Sequence, residues 1–110
     1  MPRIFISSPY THGNPGDNVT VQIEAFHHLR DKGWVPFAPL LSHYLHIHRV
    51  RTYEDWIDWD LEWLNCCDAY LRLPSNLPSK GADIEEQHAT EIGLKRYYSL
   101  ESVPCLLRAS

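Results

Sequence analysis

The sequence predicts an α/β fold: one domain on a parallel sheet of four or five strands with helices on both faces. Short β-branched and aromatic runs alternate with helix-length amphipathic stretches along the chain, the order that a parallel sheet with crossover helices requires. At 110 residues the chain suffices for one core with little left for embellishment, so residues 1–110 read as a single domain. Hydrophobic residues at 44% and charged residues at 22% are ordinary for a globular protein. No apolar run approaches the roughly 18 residues needed to cross a bilayer, which excludes a membrane protein.

Arg3 to Ser7 is a β-branched and aromatic run that stops at a turn-rich loop, Ser7 to Gly16, and reads as a buried, central first strand. Asp17-Asn18 supplies an N-cap for a helix from about Val19 to Lys32, with Val21, Ala25 and Leu29 spaced four apart and Gly33 closing it. Trp34 to Phe37 is a second strand, placed near an edge because Pro36 cannot donate to a ladder. Ala38 to Thr52 starts at Pro39 as a short helix or an irregular segment and carries His43, Tyr44, His46, His48, Arg49 and Arg51. A helix over Tyr53–Leu64 follows, then a third strand, Asp68 to Leu73, ended by Pro74. A loop from Ser75 to Gly81 feeds another helix, closed by Gly93 and Lys95. Arg96 to Leu100 is a fourth strand and Val103 to Leu107 a short fifth. The whole is a Rossmann or flavodoxin-like arrangement, in which ligands bind outside the carboxyl ends of the strands. The loops Ser7–Gly16 and Pro74–Gly81 are therefore the ones that matter.

Two acids stand where acids do not belong. At about 100° per residue, Ala82, Ala89 and Ile92 gather on one side of the last helix with Glu85 among them. On the Tyr53–Leu64 helix, Trp56, Ile57, Trp59, Leu61, Trp63 and Leu64 form one broad face with Asp60 at its centre. Either acid alone could cap backbone or pair with a buried Arg. Two helices with the same exception suggest carboxylates converging on a shared cavity. Glu85 sits in the first turns of its helix, where the dipole favours the ionised form and opposes the desolvation that would raise its pKa, while Asp60 on a Trp-rich face is placed to hold a proton or a hydrogen bond to a ligand.

The net charge of −4, without clustered Lys and Arg, argues against a nucleic acid polymer and leaves small ligands open. None of the glycine patterns matches a dinucleotide or phosphate-loop fingerprint. Cys66, Cys67 and Cys105 are odd in number, and adjacent cysteines do not easily bridge, so reduced thiols are expected. Met1-Pro2-Arg3 leads into an apolar stretch too short for a secretory signal and too strand-like for a transit peptide, so a cytoplasmic location is expected. The spacing of His43, His46 and His48 fits neither a helical metal pair nor a zinc finger, and no metal or cofactor is expected. One of these histidines, with Tyr44 or Arg51, is expected to line the pocket opposite Glu85.

With these residues laid out, the chain resembles the nucleoside 2-deoxyribosyltransferase family, including its deoxynucleoside 5′-monophosphate N-glycosidase branch. Ile4-Phe5-Ile6-Ser7-Ser8-Pro9-Tyr10 is similar to the family's first strand and substrate loop. Trp59-Asp60-Leu61-Glu62-Trp63-Leu64 is similar to its acidic helix and Cys67-Asp68-Ala69-Tyr70-Leu71 to its third strand. Ser79-Lys80-Gly81-Ala82-Asp83-Ile84-Glu85, with Ala89 and Gly93, is similar to its nucleophile helix. The resemblance covers most of residues 3–100. It implies that Glu85 is the nucleophile, that Asp60 handles the nucleobase, and that Ser7, Ser8, Tyr10, His43, Ser79 and Gly81 surround the substrate. Ser79 matches a serine that contacts phosphate in the monophosphate branch; read from its position alone it is a turn residue or N-cap. Phe5 stands where the family often has a Tyr, so the hydroxyl that assists the nucleophile is missing unless Tyr10 substitutes for it. The resemblance also implies a homo-oligomer.

The expected activity is cleavage or transfer at the N-glycosidic bond of a (deoxy)nucleoside or its 5′-monophosphate. Such chemistry passes through an oxocarbenium-like transition state and uses one ionised carboxylate and one acid. A catalytically inactive nucleotide-binding module is the alternative suggested by Phe5 and a chain that stops soon after the fourth strand. An oligomeric interaction subunit is the one suggested by the Trp-rich helix.

Overall fold

Residue alternation along the first strand decides the layering, because successive side chains of a strand face opposite sides of the sheet. The computed structural model describes residues 1–107. Strand β1 (Arg3–Ser7) sends Ile4 and Ile6 to one side, where they join Ala25, Leu29, Trp34, Ala69 and Leu71 in one core. Phe5 faces the other side, with Leu64, Cys67, Tyr70 and Ala89. Both sets are almost fully buried, so β1 has no solvent face past Arg3, and its centre, Ile4-Phe5-Ile6, is apolar without alternation.

Helix α1 (Pro15–Asp31) covers the first side. It begins earlier than the sequence suggests: Asn14 is the N-cap, its side chain accepting from the Asp17 amide at 3.1 Å. Pro15 can open a helix because its missing N–H would have found no partner there. The buried stripe is Val19, Gln22, Ala25 and Leu29, whereas Val21, expected inside, is 47% exposed. Gly33 closes the turn as expected, with φ +93°.

Strand β2 (Val35–Phe37) is an edge strand, as Pro36 requires. A 3-10 turn (Pro39–Leu41) and helix α2 (Ser42–His48) follow, and α2 has no buried residue. Helix α3 (Tyr53–Leu64) and helix α4 (Lys80–Glu91) cover the second side and flank strand β3 (Ala69–Arg72). Ile92, expected on the buried face of α4, lies past its end and is 42% exposed.

The sheet order is β2-β1-β3-β4, every neighbouring pair parallel, with Phe5 opposite both Phe37 and Tyr70. The fourth strand, β4, is Lys95–Tyr97, one residue earlier and shorter than expected. Among the described residues no fifth strand forms over Val103–Leu107. That segment is held under the C-terminal end of α1 instead, where Lys32 Nζ donates to the Leu100 and Val103 carbonyls, both at 2.8 Å. Trp34 Nε1 donates to the Pro104 carbonyl at 2.8 Å, and the Leu106 amide to the Lys32 carbonyl at 2.7 Å. Its Val103 and Pro104 carbonyls are thus bonded to Lys32 and Trp34 rather than to a neighbouring strand. All three cysteines are free, Cys67 buried and the other two exposed. No helix among the described residues is long and apolar enough to cross a membrane.

Candidate active site

The chain leaves β1 towards β2 on one side and returns to β3 on the other, so the loops after β1 and β3 part at the sheet's centre. A cavity of about 430 Å³ opens there. Ser8 and Tyr10 form its wall after β1, and Leu40, His43 and His46 its wall on the α2 side. Asp60, Tyr53 and Trp56 enter from α3, and Glu85, Ser79 and Gly81 from α4.

The position of Glu85 follows from the start of its helix. Ser79 is the N-cap of α4, its Oγ accepting from the Ala82 amide at 3.0 Å. Ala82 and Ala89 then point into the sheet, and Glu85 between them is carried in with them. Asp60 and Leu64 are the buried residues of α3, one turn apart. The two side chains meet: the Asp60 and Glu85 carboxyls lie within hydrogen-bonding reach of each other. They are 8% and 5% exposed, and Asp60 Oδ1 is buried without a hydrogen-bond partner.

Both carboxyls are held in their protonated form more tightly than usual. Burial pushes Asp60 up to about 7, against the lowering effect of its hydrogen bond with Glu85. Burial also raises Glu85, and the Asp60 charge and hydrogen bond add to that. The Ser7 hydroxyl and the Arg72 guanidinium oppose the rise. The expectation that the start of the helix would keep Glu85 ionised is thus corrected: desolvation and a second acid outweigh the dipole. Two facing carboxyls in such a site titrate as a unit and favour a single shared proton.

Ser7 was expected at the substrate. It is fully buried behind Glu85 instead, its Oγ donating to Glu85 Oε1 at 2.7 Å, because the alternation of β1 turns it towards α4 with Phe5. Ser7, not Tyr10, therefore supplies the hydroxyl that bonds Glu85. Tyr10 Oη is paired with His43 Nδ1 at the cavity wall. Arg72, next to Ser7 at the end of β3, is held by Asp83 at 2.7 Å and Glu86 at 3.0 Å. Of the residues expected with a histidine opposite Glu85, Arg51 lines the cavity and Tyr44, at 58% exposure, does not. Ser79 is an N-cap and lines the cavity as well.

Tyr53 is the residue the sequence reading passed over. It lines the cavity, its hydroxyl 3.4 Å from where a Cβ on Gly81 would lie, and burial and the charges of Glu85 and Asp60 raise its pKa. Its spacing could have found it, since Tyr53 precedes Asp60 by seven residues, two turns on the same face. His46 is fixed by its surroundings: the Trp56 indole N–H, a donor only, gives to Nδ1 at 2.8 Å, so the ring proton sits on Nε2. Among the described residues no three His, Cys, Asp or Glu side chains are grouped to hold a metal.

The sequence matches the family described as "Domain of unknown function (DUF4406)" over residues 2–98. No curated protein matches it.

Proposed function

This chain belongs to the DUF4406 family, and we propose that it cleaves or transfers at the N-glycosidic bond of a (deoxy)nucleoside or nucleoside 5′-monophosphate. The observation that carries the reading is the meeting of Asp60 and Glu85 in a cavity at the centre of the sheet. The resemblance to nucleoside 2-deoxyribosyltransferases supports the same assignment of roles.

In this mechanism substrate binding moves the shared proton from Glu85, where burial beside Asp60 favours it in the free protein, to Asp60, which leaves Glu85 as carboxylate. Ser7 occupies Oε1, so Oε2 is the oxygen that bonds to the anomeric carbon as the bond to the base breaks. Asp60 gives its proton to the departing base and becomes the carboxylate. It then takes a proton from water, or from a second base, as that acceptor attacks the anomeric carbon and releases Glu85. Whether the acceptor is water or a base, the glycosyl-enzyme intermediate is the same. No cofactor enters these steps.

The reading includes association of copies. Tyr44, Leu45, Ile47 and Val50 leave an apolar surface on and just after α2. The adjoining groove, about 640 Å³, brings Arg49 and Arg51 beside Asp55, Asp58 and Glu62, a pattern of both signs that a second copy can complement.

A panel of nucleosides and 5′-monophosphates, with freed base measured by chromatography, tests the activity. Wild-type protein should release base from at least one member. Glu85→Gln and Glu85→Ala should each lose about 10³-fold or more in rate. Release at the wild-type rate in both variants removes Glu85 from the mechanism.

A further inference from the structure

Gln22 lies on the core-facing stripe of α1 at 1% exposure, where an amide without partners would be costly. Its Nε2 donates to the Ile6 carbonyl at 3.2 Å and to Ser8 Oγ at 2.9 Å, and its Oε1 accepts from the Leu40 amide at 3.1 Å. The amide has only one workable orientation. The Leu40 N–H can only donate and the Ile6 carbonyl can only accept, so the oxygen faces Leu40 and the NH₂ group faces β1. Ser8 Oγ thereby becomes the acceptor in its bond with Gln22, and its own hydrogen is left for another partner. Among the described residues Ser8 Oγ donates no hydrogen bond, and Ser8 lines the cavity.

Alternation along the chain places Ser8 on the α1 side and Ser7 on the α4 side. Ser8 nonetheless lines the same cavity as the Glu85 carboxyl that Ser7 holds. We infer that Gln22 is a positioning residue that makes Ser8 an obligate hydrogen-bond donor to a sugar hydroxyl or phosphoryl oxygen of the substrate. The inference rests on the reading of the cavity as a nucleoside or nucleotide site, and it adds the contact that selects for an oxygen acceptor across from the acid pair.

The test is kcat and KM for Ser8→Ala, Gln22→Glu and the double variant, with the panel member that wild type cleaves best. Gln22→Glu is nearly isosteric; its carboxylate still accepts from Leu40 and also takes up the Ser8 hydrogen, turning it away from the cavity. Each single variant should raise KM about tenfold with kcat within about twofold, and the double variant should go no further. Additive losses would make Gln22 a structural residue only and overturn the inference. Unchanged KM in Ser8→Ala overturns it too, whether or not Gln22→Glu folds. The 3′-deoxy and 5′-deoxy analogues separate the acceptors: the one lacking the accepting oxygen should not respond to Ser8→Ala, and equal sensitivity in both counts against the inference. If wild type cleaves nothing, the glycosidic reading fails by itself. Calorimetry with the 5′-monophosphates then decides the inference, which falls if wild type binds none of them or if Ser8→Ala binds as tightly as wild type.

Discussion

At Asp60 burial opposes ionisation, and Glu85, itself buried, brings a second acid where a cation would be needed to offset it. The folded chain therefore keeps protons that the unfolded chain releases near pH 4, and stability falls as pH rises from about 4 towards the Asp60 value of about 7. Asp60→Asn should flatten that decline and raise stability at pH 8 by on the order of 1–2 kcal/mol. Thermal unfolding of both proteins between pH 5 and 8 measures this, and parallel curves would contradict it. Under the proposed mechanism Asp60→Asn, with no proton to give, should be about 10²-fold or more slower in base release than wild type. Cys67, pushed up to about 11 by burial, should resist alkylation at pH 8 while exposed Cys66 reacts, as peptide mapping after iodoacetamide would show.

Among the elements, α1 carries the core on its side of the sheet and its own end is tied to the tail. Leu29 is fully buried there, and Leu29→Ala should cost about 2–5 kcal/mol in denaturant unfolding. Gly33 and Gly93 close α1 and α4 with similar positive φ, yet they differ in surroundings. A Cβ at Gly33 would come within 3.0 Å of Leu107, whereas none of the described residues approaches one at Gly93 within 4 Å. Gly93→Ala should cost about 1 kcal/mol from backbone strain alone, and Gly33→Ala more, because the tail must shift as well. Equal losses in the two variants would mean that the packing of the tail against α1 contributes little.

For the molecule as a whole, the parallel sheet gathers loops at one end, and α2 completes the cavity wall there without burying a residue of its own. A helix of seven residues so placed gains little from its own packing, and a second copy would give its exposed Leu45, Ile47 and Val50 a cover. Light scattering should find a dimer or larger assembly, and Ile47→Asp with Val50→Asp should dissociate it. Wild type that stays monomeric at all concentrations would refute the association.

Residue order by itself determined the alternation of strands and helices, the edge position of β2 through Pro36, and the presence of one misplaced acid on each of α3 and α4. These follow from local periodicity and backbone chemistry, which depend on neighbours a few residues away. That Asp60 meets Glu85, that Ser7 rather than Tyr10 bonds Glu85, and that Val103–Leu107 binds α1 instead of extending the sheet were decided by tertiary structure. Each joins residues far apart in the chain, so the distance that decides its chemistry exists only once the sheet has brought them together. The shared proton is the plainest case: α4 taken alone favours an ionised Glu85, and only burial beside Asp60 reverses that preference.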